Sequence, residues 1–113
     1  MGNEERQTAL LTTSQREFLT GKKKDITDRG KRANRSNIRE RTRHSLVDFH
    51  LLNEEIQRGD IEQIADGFDR IALQVAIGET VSFLYKLAKS HHGDIRPKEV
   101  IELGIDKAQE EET

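Results

Sequence analysis

Four arginines, Arg32, Arg35, Arg39 and Arg43, stand three or four residues apart. Placed at 100° per residue on a helix, Arg32, Arg39 and Arg43 fall within about 40° of one another, with Arg35 on their flank. A line of guanidinium groups on one face displaces counterions from a phosphate backbone and grips phosphate or guanine edges in pairs. Lys22-Lys23-Lys24 precedes the line and supplies three more cations. These seven residues are the candidate nucleic-acid contacts. The competing reading is that the same arginines dock on an acidic protein surface, including the acidic half of a second copy, or form a solvated face.

Other residues capable of chemistry do not assemble into a site. His44 with Asp48, and His50 with Glu54, are spaced to share a helix face, but two ligands do not make a zinc site, which takes three or four. His91-His92 closes a helix, where a cationic ring near the last carbonyls is ordinary. Gly21-Lys22-Lys23 has neither the upstream glycine nor the following hydroxyl of a phosphate-binding loop. The serines lack a nucleophile-elbow setting, and no carboxylate pair is fixed in an apolar cleft. With no cysteine in the chain, disulfides, thiolate zinc sites and cysteine nucleophiles drop out together. The expectation is a protein that is not an enzyme and carries no metal and no cofactor.

Charge is distributed unevenly along the 113 residues, whose formal net charge is −2. Residues 1–45 hold 12 Lys/Arg against 6 Asp/Glu, and residues 46–113 hold 7 against 15. Aromatic rings choose among nucleic acids. Single-strand binders stack bases on exposed rings, yet Phe18 and Phe49 fall on expected core faces and none interrupts the basic run, so duplex DNA is the favoured partner.

The elements that position these residues follow from periodicity. Residues 1–11 read as a disordered lead-in. Thr12-Thr13-Ser14-Gln15-Arg16-Glu17 has the hydroxyl-then-Gln/Glu spacing of a helix start, and Gly21 ends that helix. Residues 22–30 read as a mobile basic connection. From about Lys31 to Arg58, Ile38, Thr42, Ser45, Leu46, Phe49, Leu52 and Ile56 share one stripe, until Gly59-Asp60 stops the helix. A short helix from Asp60 to Asp66 follows, capped by Asp60. Residues Phe68 to Ser90 are apolar nearly all round, which makes this helix central or shared between subunits, and Gly78 permits a close crossing. Pro97 opens a last helix over Lys98–Gln109, burying Val100, Ile101 and Ile105. Glu110 to Thr113 form a solvated acidic tail.

The fold class is therefore all-α: four to five helices with one long central apolar helix, forming a helical-bundle homodimer. The expected organisation is one helical domain over 12–109, basic over 12–45 and acidic over 46–109. The expected dimer interface is Ile77, Gly78, Val81, Leu84 and Ala88. Ile71 to Leu87, interrupted by Gln74, Glu79 and Lys86, is too short and too polar to span a bilayer, and no apolar signal core opens the chain. A cytoplasmic location follows.

Leu11-Thr12-Thr13-Ser14-Gln15-Arg16-Glu17-Phe18-Leu19-Thr20-Gly21, then Ile38-Arg39-Glu40-Arg41 with Leu46, Asp48, Phe49 and Leu52, resembles small helical proteins of haloarchaea and their viruses. Ile71 to Tyr85, ending Val81-Ser82-Phe83-Leu84-Tyr85, is similar to the last-but-one helix of that group. The group is mostly of unknown function, so the resemblance implies an archaeal or viral cytosolic origin. The reading that follows is a dimeric, DNA-binding regulator of the repressor type. The alternative is an interaction adaptor, or a viral exclusion or assembly factor, that binds no nucleic acid.

Overall fold

The computed structural model describes residues 9–112. Of the expected lead-in only residues 9–11 are described; residues 1–8, and Thr113 of the expected tail, lie outside them. Five helices account for 78% of this span, and no strand occurs among the described residues. They are α1 (Thr13–Leu19), α2 (Asp28–Glu55), α3 (Arg58–Asp66), α4 (Arg70–Ser90) and α5 (Pro97–Glu112). The all-α class is as the sequence implies, and α4 is its one long apolar helix. The chain divides into two compact units, residues 1–57 and 58–113.

In the first unit α1 packs on α2. Thr12 starts α1 through a reciprocal cap: its Oγ1 accepts from the Gln15 N–H at 3.1 Å, and its own N–H donates to Gln15 Oε1 at 3.0 Å. At the other end Gly21 has φ +76°, which a side chain would resist. The Gly21 N–H donates to Phe18 O and the Lys22 N–H to Glu17 O, the paired bonds that close a helix on a left-handed glycine.

Helix α2 starts three residues before the periodic stripe suggests. Thr27 accepts from the Gly30 N–H at 3.0 Å, and Asp28 stands in the first turn beside the positive end of the helix dipole. It ends at Glu55, before Gly59. Its last turn has no cation, and Glu54 and Glu55 sit at the negative end of the dipole. Gly59 instead lies in the first turn of α3, so Asp60 is a first-turn residue and not the cap.

Half-buried positions on α2 include Asn34, Ile38, Arg41, Thr42 and Ser45, within about 100° of arc. Polar residues can stand there because they satisfy themselves. Thr42 Oγ1 donates to Ile38 O at 2.8 Å, Ser45 Oγ to Arg41 O at 2.9 Å, and Asn34 Nδ2 to Gly30 O at 3.0 Å. The contact between α1 and α2 is correspondingly polar, and Gln15 is the one buried residue among those described. Phe49, expected in the core, is 54% exposed. The reason is length: α1 has only 7 residues and leaves the C-terminal part of the 28-residue α2 without a neighbour in its unit.

In the second unit α4 packs with α5. Asp69 caps α4, accepting from the Ala72 N–H at 2.8 Å, so Phe68 precedes the helix and does not begin it. Helix α5 begins at Pro97, whose missing N–H costs nothing in a first turn, and continues to Glu112 through most of the expected tail. Leu84 and Ala88 of α4, and Pro97 and Ile101 of α5, are half-buried. Val100 and Ile105, expected inside, are exposed. So are Ile71, Val75, Ile77, Val81, Phe83 and Leu87. At 21 residues α4 is longer than the stretch Ile71–Leu87, and by length and composition it is long and apolar enough to cross a membrane, a test that the core helix of a soluble protein also passes.

Candidate nucleic-acid interface

Helix α2 carries the four arginines of the sequence pattern on its first four turns, but they are not equivalent. Arg32, Arg39 and Arg43 are exposed, and none makes a hydrogen bond or ion pair among the described residues. Their common direction lies about 135° round the helix from the half-buried stripe, so they point away from α1. At 1.5 Å per residue, Arg32 and Arg39 are about 10 Å apart along the axis, and Arg39 and Arg43 about 6 Å. Both intervals fall within the reach of flexible side chains to phosphates that recur on each strand about every 3.4 Å of duplex axis.

Arg35, on the flank, bends towards α1. Its guanidinium lies over the Phe18 ring, 5.4 Å from the centroid. At a partly wet site such stacking contributes about 0.5–1 kcal/mol, and it ties this arginine to the fold. Phe18 is half-buried beneath it, so the ring is committed within the unit.

The lysine run occupies the turn between Gly21 and α2. Lys23 Nζ donates to Ser14 Oγ, whereas the side chains of Lys22 and Lys24 are exposed and unpartnered. Asp25, with φ +59°, turns the chain after them towards Thr27. Of the seven candidate contacts, five remain free for a ligand: Lys22, Lys24, Arg32, Arg39 and Arg43.

Two arginines have roles that the spacing does not reveal. Arg29 lies within α2 because the helix begins at Asp28, and it is exposed about 60° from Arg32, which adds a sixth free cation to the same side. The signal for it was the Thr27 hydroxyl three residues before Gly30. Arg41 lies on the opposite, α1-facing side and grips the backbone: its Nε donates to Leu10 O at 2.6 Å and its Nη2 to Ala9 O at 2.8 Å. Arg16 Nη1 takes the next carbonyl, Leu11 O, at 2.7 Å. Three successive carbonyls thus hold two guanidinium groups, and residues 9–11 are fixed against α2.

The remaining candidates fall elsewhere. No group of three or more His, Asp or Glu able to hold a metal ion occurs among the described residues. An open depression at the α4–α5 turn is lined by Tyr85, Lys89, His91, Asp94, Arg96 and Glu99, with Arg96 paired to Glu99 at 3.3 Å. Of the expected dimer residues, Leu84 and Ala88 are half-buried, while Ile77, Gly78 and Val81 are exposed.

A family model matches residues 10–113, nearly the whole chain. The chain belongs to the DUF8102 family. DUF8102 is a domain of unknown function, so membership assigns no activity or ligand. No curated protein and no solved structure matches the chain. In this DUF8102 chain the matched segment includes the capped α1, the arginine-bearing α2 and the whole of the second unit.

Proposed function

We propose that this protein is a non-enzymatic DNA-binding regulator, of the transcriptional-repressor type, in which α2 lies along duplex DNA. The observation that carries the reading is the outward row Arg32, Arg39 and Arg43, without a partner among the described residues, on a helix about 42 Å long. Lys22, Lys24 and Arg29 extend the row at the N-terminal end of α2, where the helix dipole adds positive potential. Duplex is favoured over single strands because Phe18 is covered by Arg35 and no other ring stands among these cations.

The protein acts as a homodimer in the cytoplasm. Ile77, Gly78 and Val81 offer α4 to a second copy, beside the Leu84 and Ala88 positions that are half-buried. A bilayer is the poorer solution for α4: Glu79 would lie near its centre, where a carboxylate costs about 2.5–3.5 kcal/mol. One observation favours a second reading, an adaptor that binds no nucleic acid. The apolar side chains exposed along α4 suit a protein partner as well as a second copy.

A titration of labelled duplex at several salt concentrations separates the two. Five to six phosphate contacts give a slope of log affinity against log salt between about −4.5 and −5.4. An adaptor gives no saturable binding, and Arg39→Glu with Arg43→Glu then changes protein association and not DNA affinity.

A further inference from the structure

Helix α2 carries two histidines that the fold does not use. His44 and His50 are exposed, and neither has a hydrogen bond, ion pair or ring contact among the described residues, so the spacing of His50 and Glu54 forms no pair. The two rings differ in where they stand. His50 follows Arg32 by eighteen residues, which is five whole turns, so it returns to the same bearing on the helix and lies within about 20° of Arg43. The row Arg32, Arg39, Arg43, His50 runs at intervals of seven, four and seven residues. Its last interval, about 10 Å along the axis, repeats the first and equals about three phosphate intervals of duplex axis. His44 stands about 120° away from this row.

We propose that His50 is a further contact of α2 with the phosphate backbone, made by the imidazolium and lost when the ring is neutral, so that duplex affinity rises as pH falls. The proposal rests on the DNA reading above and adds a titratable contact to it. Histidine is the side chain whose ordinary charge change falls between pH 5 and 8, whereas the arginines and lysines of the row stay charged throughout. A phosphate at His50 favours the charged ring, so binding takes up a proton and is tighter on the acid side. Within one turn of His50 on its own face stand Leu46, Val47, Asn53 and Glu54, and Arg43 lies two turns back. In its unit only α1 packs on α2, and it does not extend that far, so no charge from another helix of the unit faces the ring. With a neutral ring this end of the row presents a phosphate only with the Glu54 carboxylate, which repels it. The imidazolium offsets that carboxylate and supplies the donor.

The test is a titration of labelled duplex with the full chain at about pH 8 and about pH 5.5, each at several salt concentrations. At about 0.1 M salt the unaltered protein binds about eightfold tighter at the lower pH, and its slope of log affinity against log salt steepens by about 0.9, the share of one phosphate. His50→Asn keeps the affinity at the higher pH and loses both changes. His50→Arg binds with the tighter affinity at both pH values. His44→Asn, off the row, responds to pH as the unaltered protein does. Absence of duplex binding at both pH values sinks the proposal together with the DNA reading. Binding that is equal at the two pH values, or a gain on acidification that His50→Asn retains or His44→Asn abolishes, overturns the proposal alone and leaves the arginine row standing.

Discussion

Arg41→Ala should loosen α1 on α2 while leaving the rest of the protein intact. Arg41 donates to two adjacent carbonyls, Leu10 O at 2.6 Å and Ala9 O at 2.8 Å. Hydrogen bonds from charged groups contribute about 1.5–3 kcal/mol each when sheltered. Both of these are exposed, so water competes, and about 1 kcal/mol each is the fair figure. Little makes up the loss, since no apolar residue is fully buried between α1 and α2, and what remains is the half-buried Phe18 under Arg35 beside the half-buried Ile38. Losing about 2 kcal/mol from a local opening equilibrium corresponds to a change of about thirty-fold. Native-state hydrogen exchange reads it directly: the amides of Arg16 to Thr20 exchange about thirty times faster in Arg41→Ala. Amides of α4 and α5, in the other unit, keep their rates. Arg39→Ala is the control; with no partner among the described residues it should stay within about 0.5 kcal/mol, or about two-fold. Unchanged α1 exchange in Arg41→Ala, or equal acceleration in Arg39→Ala, refutes the division of these arginines into a structural one and a free one.

Two further substitutions probe other parts of the account. Thr12→Ala removes the side-chain acceptor of the α1 cap, leaving the bond from its backbone N–H to Gln15 Oε1, and should cost about 1 kcal/mol, seen as earlier loss of helical circular dichroism in urea. Gly78→Ala should raise the melting temperature, because a Cβ there meets nothing within 4 Å and alanine gains about 1 kcal/mol over glycine inside a helix; a fall together with a loss of self-association would show that a second copy crosses α4 closely at Gly78.

The fold class and all five helices are legible in the sequence because periodicity, capping hydroxyls and Pro97 agree. Boundaries are less so. Thr27 does not read as a cap because the apolar stripe starts only at Ile38, eleven residues later, and no breaker residue marks the stop at Glu55, where the dipole end is unfavourable. The core was misjudged for a different reason. A stripe shows that a face is apolar, not that the chain has enough neighbouring surface to cover it, and α1 is too short to reach Phe49 and Leu52. The arginine pattern was read at the level of spacing, which assigns Arg35 to the row. Only the position of Phe18, seventeen residues earlier, shows it committed elsewhere. Arg41 escaped notice because its partners are backbone carbonyls, which no side-chain pattern records.

The salt dependence of duplex binding tests the central claim most directly. Titrating the full chain against labelled duplex DNA from low to moderate salt should give a slope between about −4.5 and −5.4, and Arg32→Gln, Arg39→Gln and Arg43→Gln together should flatten it by about 2.7 while Arg35→Gln alone changes it by far less than one contact. No binding at low salt, or a slope that the triple variant leaves unchanged, contradicts the assignment of α2 as the nucleic-acid interface.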